Sequence, residues 1–166
     1  LRTEFLDSQM PDTAISLRRK DNTGAAQKKP DYILSITYPT ADVQTALKAL
    51  CRDRAKRPIV LMGDRGRGKS HIMAVMHHSI GSPVEVQQWA NDWGQTLGAK
   101  PLTDLVLDDG FFPISEPVLN HEYPLLWNLI FDRHPKGDYF RGKFKQMNQP
   151  FPPRSLLEEI FEAKPV

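Results

Sequence analysis

The residues able to do chemistry concentrate between Pro58 and His71. There the chain reads Pro58-Ile-Val-Leu-Met-Gly-Asp-Arg-Gly-Arg-Gly-Lys-Ser70, with His71 next. From Gly63 onward it fits Gly-x-x-x-x-Gly-Lys-Ser, with Gly63, Gly68, Lys69 and Ser70 in the fixed places. Each residue type has a job in holding a chain of phosphates. Gly63, Gly66 and Gly68 can take backbone angles closed to residues with a Cβ. The loop can then turn the amides of residues 64–69 inward, and the positive end of a following helix adds to the anion site. Lys69 is the candidate catalytic group, a mobile positive charge for the β and γ phosphates of ATP. Ser70 is the candidate metal residue, offering its hydroxyl to a nucleotide-bound Mg²⁺. The candidate nucleotide-binding set is Gly63, Asp64, Arg65, Gly66, Arg67, Gly68, Lys69, Ser70 and His71. Arg65 and Arg67 can face nucleotide, a neighbouring subunit or solvent, and solvent asks least of the chain.

Such a loop needs an element on each side to aim it. Ile59, Val60, Leu61 and Met62 form a short apolar run after Pro58, which suits a buried strand. His71 to Ile80, rich in Met, Ala and Ile, reads as a helix. Strand, glycine loop and helix agree with one another, which argues against a glycine-rich turn that matches by chance.

Upstream, residues 1–38 have no clear period and read as an irregular basic arm. Leu17-Arg-Arg-Lys-Asp-Asn-Thr-Gly24 and Gln27-Lys-Lys-Pro30 carry its charge. Within it, Tyr32, Leu34 and Ile36 alternate with polar neighbours as a short strand would. Thr40 reads as the cap of a helix running to about Ala55, with Val43, Ala46, Leu47, Leu50 and Cys51 on one face. Arg52, Arg54, Lys56 and Arg57 at its far end suit the helix dipole.

Downstream, Gly81-Ser-Pro83 stops the loop helix, and a second helix is expected from Pro83 to about Leu97, with Val84, Trp89 and Trp93 as core positions. Leu105-Val-Leu107 followed by Asp108 and Asp109 has two readings. One is a Walker B strand whose acid holds Mg²⁺; the other is an element end with solvated acids. Phe111 to Ser115 is a further candidate strand. A helix is expected near Glu122, with Pro124 in its first turn and Tyr123, Leu126, Trp127, Ile130 and Phe131 inward. His134 before Pro135 reads as a local cap or surface residue, and the other histidines lack zinc-ligand spacing. Tyr139-Phe-Arg-Gly-Lys-Phe144 reads as an amphipathic helix end, with nucleic-acid contact as the alternative. Ser155-Leu-Leu-Glu158 resembles a capping box for a last helix, with Leu156, Leu157, Ile160 and Phe161 inward.

At 166 residues the chain can bury one real core, and 40% hydrophobic with 25% charged residues is an ordinary globular balance. No apolar run approaches a membrane span, and there is no signal-peptide core. A lone Cys51 excludes an internal disulfide and fits a reducing cytoplasm. A formal charge of +2 is too small to argue for nucleic acid by itself. The start at Leu1 and the end just after a helical pattern suggest a piece of something larger.

Four stretches together carry a family resemblance. They are Gly63-Asp-Arg-Gly-Arg-Gly-Lys-Ser-His71, Phe112-Pro-Ile-Ser-Glu-Pro117, Leu126-Trp-Asn-Leu-Ile-Phe-Asp-Arg-His-Pro135 and Pro150-Phe-Pro-Pro-Arg-Ser-Leu-Leu-Glu-Glu159. They resemble the N-terminal ATPase region of large bacterial AAA-type P-loop proteins encoded beside DNA methyltransferases in anti-phage defence islands. The P-loop ATPase of the BREX system, with its own Gly-Lys-Ser-His, is a looser relative. The resemblance covers roughly residues 40–166. It implies ATP and Mg²⁺ as cofactors. DNA, a DNA methyltransferase or other defence proteins, and further copies of the chain are the implied partners. It also implies that the Walker B acids lie beyond Val166. Only Gly63 to Ser70 carry over residue by residue.

The expected fold is therefore α/β, a three-layer AAA-like P-loop NTPase with a parallel sheet, incomplete for lack of its C-terminal strands. Residues 1–38 are its arm and 39–166 the N-terminal part of its ATPase domain. The expected function is ATP binding, with hydrolysis in the full-length protein, coupled to DNA-directed or anti-phage defence remodelling in the cytoplasm. The alternatives are a nucleotide-gated regulatory module without useful hydrolysis, or another P-loop NTPase such as a kinase or GTPase. A GTPase would need an Asn-Lys-x-Asp segment, which the chain lacks.

Overall fold

Where the chain turns helical follows mostly from its apolar spacing and its prolines. The computed structural model describes residues 16–53, 58–97, 102, 105–107, 112–116 and 123–162. A 3₁₀ turn at Ala25–Gln27 precedes α1 (Pro30–Ser35), which opens on a proline and an acid, Asp31. Next comes α2 (Ala41–Asp53). The Thr40 hydroxyl accepts the Val43 amide at 3.3 Å, as a helix cap should. Val43, Ala46, Leu47 and Leu50 are its buried stripe. The loop helix, α3 (Lys69–Gly81), ends where the Ser82 amide donates to the His78 carbonyl. Pro83 then starts α4 (Pro83–Thr96).

These four helices share one core. Ile33 and Leu34 of α1, Leu47 of α2, Ala74 and Val75 of α3, and Val86, Trp89 and Ala90 of α4 meet in it, with Leu105 added from further along. Leu17 and Ala25 belong to this packing too, so part of the basic N-terminal stretch is built into the core. A second core lies among α5 (Leu126–Arg133), α6 (Gly137–Gln146) and α7 (Arg154–Glu162), built from Phe131, Phe140, Leu156 and Ile160. Burying a side chain of this size stabilises by about 1.5–3 kcal/mol. The α5–α6 corner requires glycine at 137. A Cβ there would sit 1.7 Å from the Phe131 carbonyl oxygen.

Polar ties run between the two cores. The Glu116 carboxylate is 2% exposed and accepts the Arg133 Nε and Nη2 at 2.8 and 2.9 Å, while Arg18 Nε lies 3.5 Å away. Such forked pairing offsets the cost of withdrawing a carboxylate from water.

The expected α/β fold with a parallel sheet is not what forms. The described residues are helices joined by extended or turn segments, and none is in a strand. The physical reason is that a strand exists only through a hydrogen-bonded neighbour. Ile59–Met62 runs without secondary structure, and Val60 and Met62 are 73% and 89% exposed. Leu105 and Leu107 are buried, but in an irregular turn rather than a Walker B strand, and Asp108 and Asp109 lie outside the described residues. Residues 112–116 are likewise without a ladder, and Phe111 lies outside the described residues. The alternating pattern at 32–37 belongs largely to α1, because Pro30 and Asp31 start a helix there.

Smaller expectations also shift. Val84 is exposed, and Val86, two residues on, takes the core place expected for it. The helix expected near Glu122 begins only at Leu126, which faces outward. Glu122 itself lies outside the described residues. In α7 the helix starts at Arg154, so Ser155 sits in the first turn rather than at the cap, and Phe161 is exposed.

Candidate functional site

The loop of Gly63–Gly68 is held by backbone geometry that its glycines permit. Gly63, Gly66 and Gly68 have φ of 152°, 79° and 78°. Residues with a Cβ strain at such angles. No atom lies within 4 Å of a Cβ placed on Gly66 or Gly68, so conformation rather than crowding calls for glycine there. Gly68 in the left-handed region hands the chain directly to α3, and no side chain caps that helix start. The first-turn amides of α3 thus have no side-chain acceptor from the Ncap residue.

Lys69 is the first residue of α3, and its side chain folds back across the loop. Its Nζ donates to the carbonyls of Gly63 and Asp64 at 2.7 and 2.6 Å. The ammonium therefore draws the loop into a ring around a positive charge. Asp64, Arg65, Gly66, Arg67 and Ser70 are exposed around it. The structure thus brings Gly63 through Ser70 together at one helix end.

His71 points elsewhere. Its Nε2 lies 2.9 Å from Thr37 Oγ1, whose own proton goes to the Ile33 carbonyl at 2.6 Å. Thr37 has only one hydroxyl proton, so the Nε2–H of His71 must be the donor in that contact. Burial lowers the pKa of His71 from its usual value, consistent with a neutral ring. His71 thereby fastens the α1–α2 connector to the loop helix.

A cavity of about 510 Å³ opens beside the loop. It is lined by Ile59 and Leu61, by Ser70, Met73, Met76 and Ile80 of α3, and by Ile114 and Ser115. His77 also faces it, and its Nδ1 lies 2.7 Å from Ser115 Oγ. Burial, with smaller contributions from His78 and Arg18, pushes the His77 pKa down to about 4. The ring is then neutral at pH 7, and its Nδ1 can accept the Ser115 hydroxyl. The next residue, His78, is buried against the packed side and donates Nε2–H to the Ala25 carbonyl at 2.8 Å.

Neither the His77–Ser115 pair nor the Arg18–Glu116–Arg133 group could be read from the sequence. Their members are far apart along the chain, and only the packing of residues 112–116 against α3 and α5 joins them. His134, by contrast, does what its place before Pro135 suggests: its Nδ1 accepts the Lys136 amide at 3.0 Å. Among the described residues no three His, Cys, Asp or Glu side chains cluster as a metal site. No helix among them is long and apolar enough to cross a membrane.

No protein-family model, curated protein or solved structure matches this chain.

Proposed function

We propose that residues 63–70 bind the phosphate chain of ATP together with Mg²⁺, His71 being turned instead to Thr37. The observation that supports this reading most is the ring made by the positive-φ glycines and Lys69, set at the N-terminus of α3. Open space above Gly66 and Gly68 leaves room for phosphate oxygens against the backbone. Lys69 can exchange its carbonyl partners for phosphate oxygens, and the helix dipole adds favourable potential. Ser70, exposed in the first turn, would supply the Mg²⁺ with a hydroxyl ligand, the metal balancing the charge of the phosphates.

Hydrolysis needs more than this cradle: a second acid for the metal and a group that orients water. The described residues that line the cavity beside Lys69 include no acid. We place ATP turnover, and its coupling to DNA-directed or anti-phage defence, in the full-length protein, on the strength of the family resemblance. Calorimetry with ATP–Mg²⁺ tests the binding step. Lys69→Ala should weaken it by roughly ten- to a hundredfold, since a charge-assisted phosphate contact is worth about 1.5–3 kcal/mol. Equal affinity in the variant and the wild type would remove the assignment.

A further inference from the structure

The connector between α1 and α2 carries an aromatic ring to the loop end of α3. Thr37 is 1% exposed and is held three ways. Its hydroxyl bonds Ile33, His71 Nε2 reaches the same oxygen, and Trp89 Nε1 donates to its carbonyl at 3.2 Å. Pro39 is buried on the other side of Tyr38. Tyr38 between them is fixed in backbone but left 54% exposed in side chain.

Its ring meets Trp93 edge-on, with centroids 4.9 Å apart and planes at 77°. An edge contact of this kind positions a ring without covering both of its faces. The location matters as much as the exposure. Trp93 and His71 lie equally far along the chain from Ser82, where α3 turns into α4. Both touch the same connector, so Tyr38, Trp93 and His71 gather at the end of the α3–α4 hairpin that also bears Lys69 and Ser70.

We infer that Tyr38 is a stacking platform for the base of a nucleoside triphosphate whose phosphates occupy the Gly63–Ser70 loop. This rests on the phosphate-binding reading of that loop and adds the base as a second point of recognition. A ring presented by a rigid connector loses little freedom on stacking, so its contact energy is kept for binding. Every base offers a π-face, so the platform favours nucleotides over bare polyphosphate without choosing among bases. His71, which joins connector to loop, fixes the separation between the two points.

Calorimetry on the whole chain with ATP–Mg²⁺ and with inorganic tripolyphosphate–Mg²⁺ separates the two ideas. Tyr38→Ala should weaken ATP about tenfold and leave tripolyphosphate unchanged. Tyr38→Phe, which keeps the ring, should bind ATP as the wild type does, and Lys69→Ala should weaken both ligands. Wild-type tripolyphosphate binding together with unaltered ATP binding by Tyr38→Ala would overturn the platform and leave the loop assignment standing. No binding of either ligand by the wild type would remove both. Photolabelling of the wild type with 8-azido-ATP gives an answer even where Tyr38→Ala folds poorly. Label on the peptide containing Tyr38 supports the platform, and label confined to other peptides overturns it.

Discussion

The two sides of α3 are both apolar, yet they have opposite fates. On one side Ala74 and Val75 are closed under α1, α2 and α4, and His78 and Ser79 spend their polar atoms on the Ala25 and Val75 carbonyls. On the other side Met73 and Ile80 border an open cavity, and His77 meets Ser115 across it. Composition alone does not separate the sides, since each carries apolar residues and a histidine. Partners separate them. A side chain that meets neighbours from several elements stabilises the fold, whereas one that borders open space keeps its surface for something else.

Substitutions that treat the two sides differently can break this contrast. The largest effect should come from Leu47→Ala, because Leu47 is 0% exposed and packs in the closed core. We expect a loss of about 3 kcal/mol, the lost transfer energy plus the cavity left behind, read as a lowered urea midpoint with unchanged slope. A loss under about 1 kcal/mol would show that the core is looser than its packing implies.

A smaller effect should come from acid. The folded pKa of His77 is about 4 and its unfolded pKa about 6.5. Above pH 6.5 both states are neutral and the contribution is complete. As pH falls through 6.5 the unfolded chain takes the proton first, so stability drops until about pH 4, where the folded chain takes it too. The ring is only partly buried, so solvent screening reduces the size to roughly 1 kcal/mol. Urea midpoints at pH 7 and pH 4.5 should therefore lie closer together in His77→Asn than in the wild type. Identical spacing would mean the ring is solvated in the folded protein.

The smallest effect should be that of Met73→Ala. Met73 is 46% exposed at the cavity edge, so its loss should change stability by no more than about 0.5 kcal/mol. A thermal melt that falls by many degrees would instead show that the cavity side is packed in solution.

Most helices were legible in this chain, α1 being the exception because its residues alternate as a strand would. The spacing of Val43, Ala46, Leu47 and Leu50, the Thr40 cap and Pro83 each act within a few residues, so their outcome is local. The sheet was not legible, because Ile59–Met62 has the composition of a strand while a strand depends on a partner elsewhere in the chain. Val84 and Val86 show a finer limit. Both are apolar and in one helix, but two residues turn the chain to nearly opposite faces, and only the neighbours decide which face is inside. In the candidate site, Gly63 to Ser70 could be read from spacing, whereas the link from His71 to Thr37 needed the fold to bring α1 against α3.

The back-folded side chain of Lys69 bears on how quickly the loop could respond. An empty glycine-rich loop samples many shapes, and a ligand must then wait for the right one or spend binding energy selecting it. Here two of the three donors of the ammonium already hold the Gly63 and Asp64 carbonyls. The loop is thereby tied to the start of its own helix in the folded chain. On the proposed phosphate-binding reading, ligand exchange would start from these two hydrogen bonds of a single side chain.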